Sequence, residues 1–518
     1  MVTPFHENPR GLATKLIVLF GICCSSAAMP LTFTGPAVAL PAISHTLGGD
    51  PVALNWVTNA FMLTFGSTLM ACGALADNFG RKRIFVLGLV TFALFSTALA
   101  FAPNIFVFDL LRALQGLGAA AAFSGGMASL AQEFEGAARM RAFSIVGASF
   151  GVGLAFGPIA SGAMIDAFGW PSIFALVVAL ALIALTLGIA FMHESRNPHA
   201  GGLDWAGAVT FTLALTLFTY GVLRAPGSGW SDTTVIGLLV GAALLMSGFY
   251  FIERSTPHPM LDLTLFRYPR FVGVQLLAAA PAYAFVVLLV LLPVRFVGVE
   301  GMSEIEAGQL MIALSGPLLV LPIAAGLLTR WLAPATVCSG GLLLSAIGLF
   351  WLSQTPIGSS PGALILPLFT IGVGISLPWG LMDGLAVSVV PKERAGMATG
   401  IFSTTRVAGE GVALAVVSAV LSTLTKSYFH EGSGTNAAAE AAQRLVTGDL
   451  IGAHMLLPNS TSMELVRDYS DAFTSLLWLL TAITLITATV VLLFLRGDAE
   501  DSAGAEGLRP AIEGSNNA

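Results

Sequence analysis

Residues 73–83 read Gly73-Ala74-Leu75-Ala76-Asp77-Asn78-Phe79-Gly80-Arg81-Lys82-Arg83. This stretch closes one long apolar run and opens the next. Gly73 permits a neighbouring helix to come close at the edge of the apolar run. Asp77 and Gly80 suit a tight turn at a helix end. The three successive cations anchor that turn on the inner side of a membrane. A plain anchoring loop would be basic, but would not need this spacing of Gly, Asp, Gly and Arg.

The flanking runs are two of many. Of 518 residues, 56% are hydrophobic, only 10% are Asp, Glu, Lys or Arg, and 57 are Gly. Ordinary soluble proteins carry about 25% charged residues. The composition excludes a soluble enzyme, a disordered chain and a secreted disulfide scaffold, and no nucleic-acid partner is expected. The net charge of −6 says little when most of the chain lies in lipid. Cys23, Cys24, Cys72 and Cys338 fall in apolar stretches without metal-site spacing, so they read as small packing residues and no metal site is expected.

Fourteen stretches are long enough to cross a bilayer: 16–42, 53–76, 84–103, 105–131, 142–165, 172–192, 204–224, 233–252, 270–294, 305–329, 334–353, 361–390, 395–424 and 472–495. All are predicted to be helices, because lipid leaves only helices or a closed barrel, and the alternation of a barrel is absent. The first is too long for a cleaved signal and is read as a retained span. An even number of spans puts both termini on one side. With that side cytoplasmic, inside segments hold 16 Lys or Arg and short outside loops hold two, Arg224 and Arg295. The long loop 425–471 is then external and contains a helix-friendly piece, 436–446. The domain reading is a cytoplasmic N-terminus (1–15), a six-helix bundle (16–192), two extra spans (193–252), a cytoplasmic connector, amphipathic or irregular (253–269), a second six-helix bundle (270–495) and a disordered acidic cytoplasmic tail (496–518). A faint repeat supports two bundles: Gly73-Ala74-Leu75 ends the second span as Gly326-Leu327-Leu328-Thr329-Arg330 ends the tenth.

Arg112-Ala113-Leu114-Gln115-Gly116 lies inside the fourth run. An embedded arginine is costly unless paired, so it is functional by default. Asp109, three residues earlier, is expected to pair with it, either for coupling or as a brace. The fifth run carries Gly153, Gly157, Pro158 and Gly162, whose spacing makes a closely packed, bent helix face.

These three strings resemble motifs A, B and C of the major facilitator superfamily. Asp204-Trp205 with Gly207, then Tyr220-Gly221, and Glu393-Arg394-Ala395-Gly396 with Arg406 resemble its fourteen-span drug:proton antiporter branch. The resemblance covers residues 10–496. It implies an all-α membrane fold of two six-helix bundles plus two central spans, in a multi-pass protein of the inner or plasma membrane that acts as a monomer. Gly73, Asp77, Gly80, Arg81 and Arg83 would form an inner latch, and Gly153, Gly157, Pro158 and Gly162 the antiporter motif. Arg112 would be linked to proton coupling. The implied activity is export of small, largely apolar organic compounds in exchange for protons, with a proton gradient as driving force and no cofactor. The alternatives are a dedicated metabolite or siderophore exporter and a non-transporting membrane sensor. No Gly-x-x-x-x-Gly-Lys-[Ser/Thr] string is present, which excludes an ATP-driven pump.

One departure matters. Thr32 stands where this branch usually embeds an aspartate, and Thr32 cannot titrate. Glu410 is an acid gained, one helical turn after Arg406 on the same face. Glu410 is the expected proton carrier, with a static Arg406–Glu410 pair as the competing reading. Asp383 is the second candidate, or a site for cationic substrates. Phe33, Trp56, Phe61, Tyr283 and Trp379 are the candidate cavity walls.

Overall fold

The computed structural model describes residues 11–134, 136–196, 204–257, 259, 261–356, 358–389, 395–429 and 435–495. Arg10, Lys392, Glu393, Arg394 and the tail 496–518 lie outside them. Fourteen helices are long and apolar enough to cross a membrane. In order they are span 1 (Leu12–Leu47), span 2 (Pro51–Phe79), span 3 (Arg81–Leu99), span 4 (Ile105–Glu133), span 5 (Ile145–Phe168), span 6 (Trp170–Phe191) and span 7 (Trp205–Ser228). Then follow span 8 (Thr233–Ser255), span 9 (Pro269–Val299), span 10 (Glu304–Leu328), span 11 (Pro334–Ser353), span 12 (Pro361–Ala386), span 13 (Gly400–Tyr428) and span 14 (Ser462–Leu495). Each predicted run falls on one of them.

Local chemistry sets several helix starts. The side chains of Asp50, Asn104, Asp204 and Asp232 accept from the orphan first-turn amides of spans 2, 4, 7 and 8. Ser303 and Glu306 form a capping box at span 10. Prolines bend the interiors of spans 1, 9 and 12. Span 9 also contains two π-turns, Ala282–Val286 and Arg295–Val299.

Spans 1–6 pack on one another, as do spans 9–14, giving two bundles. The bundles meet along two main seams, span 2 against span 13 and span 5 against span 10. Span 7 packs on both span 2 and span 13, and span 8 packs on span 7. Only 17% of span 8's apolar window is buried, against 89% for span 9, so span 8 is the lipid-facing extreme and span 9 the centre. The end carrying residues 79–83 is called the basic end here. At the opposite, loop end, Thr435–Val446 lies over the seam of spans 7 and 13, and the unexpected helix Leu450–Leu456 packs on it and on span 14. Arg444 joins these two helices through Glu440 at 3.0 Å and Asp449 at 2.9 Å. The connector is irregular rather than amphipathic, with a single 3-10 turn at Leu263–Arg267.

The seams are tight near the loop end. A Cβ on Gly162 would stand 2.5 Å from the Glu304 carbonyl oxygen, and one on Gly308 would stand 2.7 Å from the Ile159 Cα. Halfway along, Gly66 lies against the backbone of Val407 and Ala408. Toward the basic end, nothing stands within 4 Å of a Cβ on Gly73, Gly147, Gly326 or Gly384. The close approach expected at Gly73 is therefore not made; spans 5 and 10 diverge toward that end, while Met70 of span 2 still packs against Ile401 of span 13.

Candidate functional site

Where the bundles part, spans 12 and 13 present a charged pair. Trp379 and Asp383 share one face of span 12, four residues apart; Phe402, Arg406 and Glu410 share one face of span 13 at the same interval. Arg406 Nη1 meets Asp383 Oδ1 at 3.5 Å. The arginine is only 9% exposed, whereas the Asp383 side chain is 58% exposed despite lying within a spanning helix. The guanidinium lies 5.7 Å from the Trp379 ring centroid and 5.6 Å from that of Phe402, within cation–π range. Trp379 also reaches Phe150 of span 5 at 6.4 Å and Phe285 of span 9 at 6.3 Å. These aromatics join the two bundles above Asp383.

The Arg406–Glu410 brace does not form. Arg406 turns toward span 12, and among the described residues no hydrogen bond or ion pair reaches Glu410, which is 2% exposed. A guanidinium already held by a carboxylate and two rings has little reason to turn back along its own helix.

Nor does Asp109 pair with Arg112. Arg112 is fully buried; its Nε donates to the Val57 carbonyl at 2.7 Å and its Nη1 to Gln115 Oε1 at 2.6 Å. Gln115 Nε2 continues the chain to Ser96 Oγ at 2.7 Å. The guanidinium also stacks 4.8 Å from the Phe61 ring centroid. Span 2's backbone and ring thus take the place assigned to Asp109, whose Oδ1 has no partner among the described residues. Gln115 and Ser96 were not anticipated. The Gln115 in the quoted string was the available signal.

The 73–83 segment folds as a turn with Gly80 at φ +119°, a region that favours glycine. Arg81 pairs with Asp77 at 2.8 Å. The unanticipated partner is Glu194, just past span 6. It faces Arg83 at 3.4 Å and accepts from the Lys82 amide at 3.2 Å. The Arg81 amide donates to the Ser195 carbonyl at 2.9 Å. Among the described residues, these charges pair within the first bundle.

Gly153 and Gly157 meet span 1, against Ala27 and Thr34, and Gly162 meets the start of span 10. The Pro158 carbonyl faces Gly308 of span 10. Of the candidate cavity residues, Trp379 alone stands beside Asp383. Phe33 and Phe61 are buried in packing, Trp56 rests on Tyr220 of span 7 at 6.3 Å, and Tyr283 donates to Thr487 of span 14 at 2.5 Å. Thr32 donates to the Ala28 carbonyl at 2.7 Å and is spent on its own helix. Among the described residues, no group of three or more His, Cys, Asp or Glu could hold a metal.

Fourteen membrane helices in two bundles around a charged centre define a multi-pass transporter rather than an enzyme. The family model for the Major Facilitator Superfamily matches residues 20–414, and the chain belongs to that family. It is 31% identical over 386 residues to "Multidrug resistance protein Stp" of Mycobacterium tuberculosis, covering 74% of this chain and 72% of that protein. It is 26% identical to "Tetracenomycin C resistance and export protein" of Streptomyces glaucescens along 99% of both chains. Among solved structures, a bacterial homolog of the human lysosomal transporter Spinster, inward-facing and unoccupied, superposes with a TM-score of 0.62. It is 16% identical and covers 94% of this chain and 98% of that one, which shows the shared fold.

Proposed function

We propose that this transporter exports small, largely apolar organic compounds in exchange for protons, by alternating access between two rocking bundles. The observation that carries this reading is the arrangement of the bundles: sealed at the loop end, parted at the basic end, with Asp383, Arg406 and Trp379 at the parting. The Lys and Arg distribution supports a cytoplasmic basic end and cytoplasmic termini, in a cell membrane. The relatives' printed names support export. Tetracenomycin C, which one of them is named for, also supports a dedicated exporter with a single compound as substrate.

Residues 16–192 and 270–495 are the moving bodies, with 193–252 between them, in a functional monomer without a cofactor. Among the described residues no hydrogen bond or ion pair reaches Glu410, and in this reading it carries the proton in the state seen here. Releasing that proton creates a carboxylate one turn from Arg406. The arginine then leaves Asp383 for Glu410, and Asp383 is freed to meet a cationic or hydrogen-bond-donating compound. Proton release and compound loading are thereby linked on the cytoplasmic side.

The test uses everted membrane vesicles with an imposed pH gradient and ethidium as the transported probe. Glu410→Gln should lower gradient-driven transport by about a hundredfold or more, while ethidium binding to the purified protein persists. Unchanged gradient-driven transport in that variant would remove Glu410 as the carrier.

A further inference from the structure

The two seams between the bundles differ in chemistry. Where spans 5 and 10 meet, glycine faces backbone, and the buried Ser315 hydroxyl is already engaged with the Met311 carbonyl at 2.7 Å and the Ala155 carbonyl at 3.3 Å. The seam of spans 2 and 13, walled on one side by span 7 and roofed by Thr435–Val446, is polar. At its top is a cavity lined by Asn55 of span 2, Leu223 and Pro226 of span 7, Ser418, Ala419 and Ser422 of span 13, and Gln443 and Val446 of the roof. Its volume of about 10 Å³ is the lower limit for one ordered water.

Ser418 and Ser422 line this cavity with hydroxyls that have no protein partner, and both are 3% exposed or less. One turn deeper than Asn55 on the same face of span 2, Asn59 Oδ1 is likewise buried and unpartnered. One turn deeper than Leu223 on span 7, so is Thr219 Oγ1. A buried hydroxyl or amide without a partner costs about 1–3 kcal/mol. Two such groups lining the cavity, and two more one turn below it, fit a site where water supplies the missing bonds. Gln443 adds an amide that reaches only the Leu223 carbonyl, at 3.5 Å.

Below these tiers the seam is closed. Met62 and Leu63 press on Gly411, where a Cβ would stand 3.2 Å from Met62 Cβ. Glu410 is the next residue, eight positions and about 12 Å along span 13 from Ser418. Beyond Glu410, the charged groups next along the same faces are Arg406 and Asp383; above it they are Arg224 of span 7 and the Glu440–Arg444–Asp449 group of the roof.

We propose that the seam of spans 2, 7 and 13 binds ordered water and is the route by which protons from the loop side reach Glu410. It rests on the reading of Glu410 as proton carrier. In the state described here the Met62–Gly411 contact shuts the route, so protons do not leak while the basic end is open. When the loop end opens, spans 2 and 13 part and the plug lifts. A proton then passes from hydronium to the Glu410 carboxylate, leaving a neutral carboxyl and a water. Span 7, outside both bundles, contributes one wall of this route.

The test separates hydroxyl from bulk. Threonine and valine have the same shape, so the double variant Ser418→Thr/Ser422→Thr is compared with Ser418→Val/Ser422→Val in the vesicle assay. The valine pair should lose about tenfold or more of gradient-driven ethidium transport, with ethidium exchange in the absence of a gradient unchanged. The threonine pair should stay near wild type. Equal behaviour of the two pairs, whether both active or both inactive, overturns the proposal, as does parallel loss of exchange. Glu410→Gln is run alongside: if it transports normally, the carrier reading fails and the route to it fails with it. If only Glu410→Gln loses coupling, the carrier stands and the seam proposal alone falls. A readout free of substrate is X-ray radiolytic labelling of the purified protein. Water held in the seam should label the buried Leu223 and Val446 well above Leu318, equally buried on the dry seam beside Gly151; equal labelling overturns the water site.

Discussion

At Gly80 two independent demands fall on one residue. The backbone needs φ +119°, and the Glu194 carboxylate occupies the place a Cβ would take. Gly80→Ala should therefore cost about 1–3 kcal/mol and lower the thermal unfolding midpoint of the purified protein; an unchanged midpoint would mean the turn relaxes freely. Gln115→Ala should act through a different cause. It strands Arg112 Nη1 in a buried place, at about 1–3 kcal/mol, while the Ser96 hydroxyl keeps its bond to the Phe92 carbonyl; the loss is again read as the unfolding midpoint. The quoted string made the glycine and the arginine legible, because spacing reports turns and helix faces. Glu194 was not legible, since it lies far along the chain and its partner is chosen by packing. The pairing expected from helix spacing, Asp109 with Arg112, and the competing Arg406–Glu410 brace failed for the same reason. Being three or four residues apart makes contact possible, and a better partner on a neighbouring helix wins.

Among the elements, span length and apolarity were readable because lipid penalises every unpaired backbone group. All fourteen runs became helices. The π-turns of span 9 were not readable; Pro281 and Pro293 mark a bend there but not its geometry. Span 5 offers a contrast within one helix. Gly162 lies against the Glu304 carbonyl, whereas Gly147 faces open space in this state. Gly162→Ala should push spans 5 and 10 apart at the loop end. In a cysteine-replaced background, a probe cysteine at Ile159 should then react faster with a water-soluble maleimide. The same probe with Gly147→Ala should react at the unmodified rate, and equal acceleration in both would show a general loosening instead of a local seal.

For the whole molecule, the fold and its family follow from motifs spread along the chain, but the direction in which it sits follows from charge alone. In the sequence, the segments read as inside hold 16 Lys or Arg, and the short outside loops hold two. Translocating a cluster such as Arg81-Lys82-Arg83 is disfavoured, which supports the proposed cytoplasmic placement of the basic end. In the proposed orientation the state seen here would meet a compound from the cytoplasmic side, while the proton gradient sets the direction of net transport. Two positions test it directly. Asp262 lies in the connector at the basic end, and Glu440 in the roof helix at the loop end. With Cys23, Cys24, Cys72 and Cys338 changed to serine, Glu440→Cys should be labelled in intact cells by a membrane-impermeant maleimide. Asp262→Cys should be labelled only after the membrane is opened. The reverse pattern would place the loop end in the cytoplasm and overturn the proposed orientation, whatever the residues at the centre do.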